Sequence, residues 1–168
     1  MKKHPREFYE LAKKELDYDP ITGVVRWAVH KRKFLPGSVA GSIDKSTGYR
    51  DIGFYGKHLL AHRFAWFVMH GEVPNEQIDH IDGNKTNNAI SNLRPASQFQ
   101  NSQNMSLSKA NTSGVKGVSW YKRIGKWDVR IRTNGKQKHL GYYDTLEEAK
   151  SVIEKHREAL HKEYANHG

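Results

Sequence analysis

QIDHIDGNKTNNAISNLRPASQFQNSQN, residues 77–104, is the stretch on which the reading of this chain turns. Ile78–Ile81 has the length and character of a short strand, and a polar loop follows from Asp82 to about Ser91. A second strand is expected near Asn92–Arg94, and a helix opens at Ser97, which has the spacing of a capping box with Gln100. Asp79 and His80 are adjacent on the first strand; Asn92 lies thirteen and Asn101 twenty-two residues beyond Asp79. Phosphodiester hydrolysis needs a base to activate water and a cation to stabilise the developing charge. In the order strand, loop, strand, helix, Asp79 and Asn101 can converge on one ion, and their oxygens suit a hard cation such as Mg2+. An Asp-His pair alone is more often structural, and in a regular strand the two side chains point to opposite faces. Acting together would require a local distortion.

On the N-terminal side, residues 5–16 place Phe8, Leu11 and Leu16 at helical spacing behind a proline suited to a first turn. DYDPITG reads as a turn into a strand at Val24–Trp27, and KRK at 31–33 with Gly37, Gly41 and Gly48 marks loops. Strands are expected at Tyr49–Phe54 and His58–Ala61, joined by a tight Tyr55-Gly56 turn, before a buried helix over 63–70 that stops at Gly71. His58 and His62 fall on the strand reading, where four-residue spacing makes no helical zinc pair; packing or phosphate contact suits them better.

Residues 105–114 (MSLSKANTSG) are small and polar, the composition of a linker. Beyond it, Val118–Tyr121, Trp127–Arg132 and Gln137–Tyr142 read as three strands, with Asn134-Gly135 a type I′ turn signal. Thr145 and Glu148 form a second capping box, opening a helix with Leu146, Ala149, Ile153, His156 and Leu160 on one face. Trp127, Val129 and Ile131 should face that helix, with Trp120 also in the core, leaving Arg130 and Arg132 on the open face. Ser119, Tyr121 and either Gln137 or His139 can join them. An arginine fork can read a guanine edge in the major groove or hold phosphate.

The 168 residues allow one ordinary domain or two small ones, and a mean hydropathy of −0.84 favours the latter. Cysteine is absent, which excludes disulfides and thiolate zinc sites. The net charge of +10 points to a polyanionic partner. Nine Lys and Arg against one Asp fall within 105–143, whereas 144–168 carry four basic and six acidic residues, an asymmetry a merely soluble face does not need. No apolar run approaches the roughly 18–20 residues of a membrane span, and the charged N-terminus lacks a secretory signal, so an intracellular protein is expected.

The run Asp79-His80-Ile81-Asp82-Gly83-Asn84-Lys85, Asn87-Asn88, Asn92-Leu93-Arg94 and Asn101, preceded by His62-Arg63 and an apolar helix, resembles the HNH homing endonucleases of phage type with a ββα-metal fold. That resemblance implies a metal-dependent endonuclease acting on double-stranded DNA. It makes Asp79 and Asn101 metal ligands, His80 the general base and Asn92 the residue that orients its imidazole. Mg2+ is the implied ion, with Mn2+ the alternative. Residues 113–160, with GV-x-GV, GKW and LG-x-Y-DT-x-EEA, resemble the AP2 domain of plant transcription factors and phage homing nucleases. By position this assigns Lys116, Tyr121, Arg130, Arg132 and His139 to DNA contact, with Lys122, Arg123 and Lys126 on phosphate.

The expected architecture is α+β. A nuclease module with N-terminal strands occupies 1–105, a linker 106–113, and an AP2-like three-stranded antiparallel sheet packed on one helix 114–168. No small-molecule substrate and no membrane are expected as partners. A monomer suits nicking and a homodimer double-strand cleavage. The rival readings are a non-catalytic DNA-binding protein with a decayed nuclease module and, more weakly, an RNA-directed protein.

Overall fold

A computed structural model describes residues 4–31, 33–103, 107, 111–133 and 136–161. The chain divides into two compact units, Met1–Ala96 and Ser97–Gly168. The boundary falls before the helix that the sequence reading carried with the nuclease module to residue 105.

The first unit opens with α1 (Arg6–Glu15), whose first turn carries Glu7 and whose last carries Lys13 and Lys14, each opposite in sign to the adjacent helix pole. Its buried residues are Phe8, Tyr9 and Ala12; Leu11, expected inside, is 39% exposed. Leu16 is already in β1 (Leu16–Tyr18), a strand that the DYDPITG turn signal concealed, paired antiparallel with β2 (Val25–Trp27). A three-stranded antiparallel sheet follows, of β3 (Ser42–Ile43), β4 (Arg50–Phe54) and β5 (Lys57–Leu60) in that order. Then α2 (Ala61–His70) begins, two residues earlier than expected, so that His62 belongs to a helix and not to a strand. It ends at Gly71, whose φ of +72° and N–H bond to the Phe67 carbonyl form a left-handed cap. Phe8, Tyr9, Trp27, Ile52, Phe54, Leu59, Phe64 and Phe67 fill the core between these elements.

The hairpin of β6 (Gln77–His80) and β7 (Leu93–Ala96) closes this unit, with Asp79 opposite Arg94 and His80 opposite Leu93. Ile90–Asn92 form a 3-10 turn, so the second strand starts one residue later than the sequence suggested. Ile78 and Leu93 pack with Ala65 of α2, a small core that seats the hairpin on the helix. Arg63, buried in α2, donates to the carbonyls of Pro74 and Glu76 at 2.7 and 3.2 Å and fixes the approach to β6.

In the second unit, α3 (Gln98–Gln103) starts with the expected capping box: Ser97 N–H donates to Gln100 Oε1 and Gln100 N–H to Ser97 Oγ. β8 (Val118–Tyr121), β9 (Lys126–Thr133) and β10 (Lys136–Tyr143) form an antiparallel sheet in the order β10-β9-β8. The helix α4 (Leu146–His161) packs on it through Ala149 and Ile153, against Val118, Val129 and Ile131. The Thr145–Glu148 box forms. Arg157 is buried in place of Leu160, which is 42% exposed, because its guanidinium donates to the Lys116 carbonyl at 2.6 Å. Trp120, expected in the core, is 44% exposed and meets Trp127 edge-on. The Asn134-Gly135 turn lies outside the described residues. Residues 111–113, read as linker, are tied into this unit: Ser113 Oγ donates to the Val115 and Val118 carbonyls.

Candidate active site

Asp79 and His80 sit at the end of β6, 4% and 3% exposed. The cross-strand partner of Asp79 is Arg94, whose Nε and Nη2 both reach Asp79 Oδ2, at 3.0 and 2.9 Å. This fork fixes the carboxylate and balances its charge where water cannot. His80, on the opposite face of the strand, meets Tyr49 and His62, with ring centroids 5.8 and 5.2 Å away.

His80 Nε2 donates to Asn88 Oδ1 at 2.9 Å; the orientation of that amide follows from Asn88 Nδ2, which donates to the Thr86 carbonyl. In a neutral imidazole with Nε2 protonated, Nδ1 carries the lone pair. Burial is the largest influence on His80 and holds its pKa below the ordinary 6.5, with Lys85 adding to the effect against Asn88, Asp82 and Asp79. A ring that is neutral at physiological pH is what a proton acceptor requires.

Asn92 holds the loop and not the imidazole. Its Oδ1 accepts from Asp82 N–H at 3.0 Å, while its Nδ2 donates to Asp82 Oδ1 and the Asn87 carbonyl at 2.9 and 2.8 Å. Asp82 in turn accepts from Asn84 N–H and Asn87 Nδ2. The loop is thus closed by its own Asx side chains. Asn88, which the sequence reading quoted but gave no role, is the partner of His80 and is only 1% exposed. The N-terminal turn buttresses it: Tyr18 Oη donates to the Asn88 carbonyl at 2.8 Å, and Ile90 N–H to the Pro20 carbonyl at 3.0 Å. Gly23 comes so close that a Cβ there would lie 2.2 Å from Ala89 N, so this contact needs glycine. Nothing local in the sequence indicates that residues 18–23 support residue 88.

His62 also escaped the sequence reading as a site residue. It is 3% exposed, its Nδ1 has no hydrogen-bond partner among the described residues, and its ring packs on Tyr49 at 4.8 Å. Burial drives its pKa well below 6.5, with the charges of His80 and Arg63 acting in the same direction. Because the unfolded chain binds this proton more readily, the associated stability is complete above pH 6.5 and is lost as pH falls below it. We expect the denaturation free energy to drop from pH 6.5 to 5 by up to about 1.4 kcal/mol per pH unit for each such histidine. His62→Phe should flatten that slope in urea titrations; an unchanged slope would refute the assignment.

Asn101 lies within α3, its N–H bonded to the Ser97 carbonyl at 3.0 Å. Among the described residues there is no cluster of three or more His, Cys, Asp or Glu to form a closed site of the zinc type.

In the second unit the register puts Ser119, Tyr121, Asp128, Arg130, Arg132, Gln137, His139 and Tyr142 on the sheet face away from α4. Asp128, 5% exposed, ties two of them together: Arg130 Nε reaches its Oδ2 at 2.8 Å and His139 Nε2 its Oδ1 at 3.0 Å. Tyr121 and Tyr142 stack beside them at 5.6 Å. Lys122 and Arg123 are exposed in the β8–β9 turn, and Lys126 pairs with Asp144 at 3.0 Å. Lys116 stands apart, half-buried beside Arg157, and burial brings its ammonium down to about 8.

A hairpin that ends in Asp-His, closed by an Asn-pinned loop, matches the family profile described as HNH endonuclease, over residues 59–103. The chain is 35% identical over 152 residues to an HNH endonuclease of Acanthamoeba polyphaga mimivirus, covering 89% of this chain and 70% of that protein. It is 41% identical over 105 residues to Protein 3.8 of Escherichia phage T7, covering 62% of this chain and 86% of that one. No solved structure matches it significantly. The chain belongs to the HNH endonuclease family. Family membership supports nuclease activity on DNA, and no helix among the described residues is long and apolar enough to cross a membrane.

Proposed function

We propose that this protein is a metal-dependent endonuclease of homing type that cleaves duplex DNA, with the second unit as its DNA-reading module. The observation that carries this reading is the buried His80, held at Nε2 by Asn88 beside an Asp79 locked by Arg94. In this reading His80 takes the proton of the attacking water at Nδ1. Asn88 and the packed rings of Tyr49 and His62 keep the imidazole in place, and Asn92 maintains the loop that presents Asn88. Asp79 and Asn101 would hold the divalent ion, Mg2+ or Mn2+, which when bound stabilises charge on the phosphate and the leaving oxygen.

The basic sheet face, the AP2-like sequence pattern and the exposed Arg130 and Arg132 support the second unit's role. Ser119, Tyr121 and His139 share that face, while Lys122, Arg123 and Lys126 flank it, suited to phosphate. Lys116 stays among the DNA contacts on the AP2-like pattern, at the entry to β8 where its carbonyl accepts from Arg157. A monomer that nicks is the simplest arrangement for a single Asp-His site. Nicking of a supercoiled plasmid with Mg2+, with Mn2+ and with chelator tests the reading; binding without cleavage under all three would favour a decayed nuclease. Arg132→Ala should weaken duplex binding about 5–150-fold in a gel shift at fixed salt, with the single-turnover rate at saturating enzyme unchanged. Equal loss of rate at saturation would remove Arg132 from the reading face.

A further inference from the structure

Far from the Asp-His pair, at the other end of β4, the first unit contains a recess of about 260 Å3 lined by Trp27, Lys31, Lys33, Phe34, Phe54 and Tyr55. Pockets for drug-sized ligands start near 300 Å3, so this one suits a single flat ring system. Its walls are aromatic. Phe34 stacks parallel to Trp27, with centroids 5.4 Å apart, and is 44% exposed. Tyr55 stands at the rim, 62% exposed.

Three features set this recess apart. Tyr55 is the one non-glycine with positive φ among the described residues, at +48°, in a two-residue turn that favours Asn, Asp or Gly. An aromatic side chain kept in a left-handed position is strain of the kind found at binding sites. Gly53 lies in the middle of β4, yet a Cβ there would meet nothing within 4 Å, so the glycine leaves open space beside the recess. Trp27, 4% exposed, has a buried indole N–H with no hydrogen-bond partner among the described residues. The rim is also preorganised and cationic. Tyr55 Oη donates to Glu15 at 2.7 Å, Lys31 pairs with Glu15 and sits 4.3 Å over the Tyr55 ring, and Lys33 has no ion-pair partner among the described residues.

We propose that this recess binds one unpaired nucleobase of a DNA strand, with an adjoining phosphate on Lys33. A nucleobase is flat, stacks on aromatic walls such as Phe34 and Tyr55, and carries the anionic backbone that a lysine rim selects. A lipid chain or an aliphatic side chain meets only the first wall. Stacking on exposed aromatics is tolerant of sequence, so the recess senses an unstacked base and does not read its identity. The proposal rests on the DNA-cleaving reading for its source of ligand.

The test uses the full-length protein and a duplex with a single bulged 2-aminopurine, compared with the fully paired duplex. Wild-type protein should bind the bulged probe about 5–100-fold more tightly and quench its fluorescence. Tyr55→Asn, which suits the turn, is expected to remove most of the preference and the quenching, and Phe34→Ala to do the same, with the melting temperature of each recorded beside the binding. Equal binding of the two duplexes, or a preference that survives both variants, overturns the proposal. Loss of quenching on adding an equal concentration of free deoxyadenosine monophosphate would assign the recess to a free nucleotide and overturn it too. Cleavage of the paired duplex in Mg2+ is scored in parallel. Cleavage without discrimination sinks only the recess, and discrimination without cleavage sinks only the nuclease reading.

Discussion

His80→Ala is expected to slow single-turnover DNA cleavage by about 10²–10⁴-fold, the usual contribution of a positioned proton acceptor, while duplex affinity stays within about two-fold. The separation follows from placement. His80 is 3% exposed at the end of β6, whereas the basic residues able to carry affinity lie on the β8–β10 sheet of the other unit. The affinity is measured by gel shift in Ca2+, the rate by nicking in Mg2+. Because the ring packs on Tyr49 and His62, the variant's melting temperature is recorded as well. Comparable losses of rate and affinity would make His80 a structural residue. Asn88→Ala should reproduce part of the rate loss, since it removes the bond that leaves Nδ1 as the acceptor.

Arg94→Met is expected to destabilise the first unit by about 3–5 kcal/mol, more than a surface charge change can. Asp79 is 4% exposed and both donors of the Arg94 fork end on its Oδ2, so removing the guanidinium takes the counter-charge from a buried carboxylate. Asp79→Asn combined with Arg94→Met should recover most of the loss, because neither charge is then left alone. Urea denaturation monitored by tryptophan fluorescence measures both variants. A single-variant loss below about 1 kcal/mol would show that Asp79 is solvated, and with it that the fork does not hold the carboxylate.

The two modules differ in how far they could be read from the chain. In the second unit the alternation of Trp127 to Arg132 and the Thr145–Glu148 box are local signals, and the strands and helix form within a residue or two of the expected bounds. Trp120 broke the pattern: it shares the α4 side of the sheet with Trp127, but β8 is an edge strand, and there the ring is left 44% exposed. The exchange of Arg157 for Leu160 inside was equally illegible, since it depends on the Lys116 carbonyl forty-one residues away.

The sequence by itself determined the ingredients of the site, because Asp79 and His80 are neighbours and the loop between the strands is written in Asx and glycine turn residues. It determined the mixed helix-and-strand character of both units for the same reason, as periodicity and capping act over a few residues. Only the tertiary structure decided which asparagine serves which partner. Asn92 clasps Asp82, Asn88 takes His80, and Arg94 takes Asp79, according to hairpin register and to a buttress from residues 18–23. It also decided that His62, in the first turn of a helix distant in sequence, is buried against the His80 ring. Hydrogen bonds and ring contacts between segments separated by tens of residues depend on where the core places each backbone, and no spacing in the chain encodes that position.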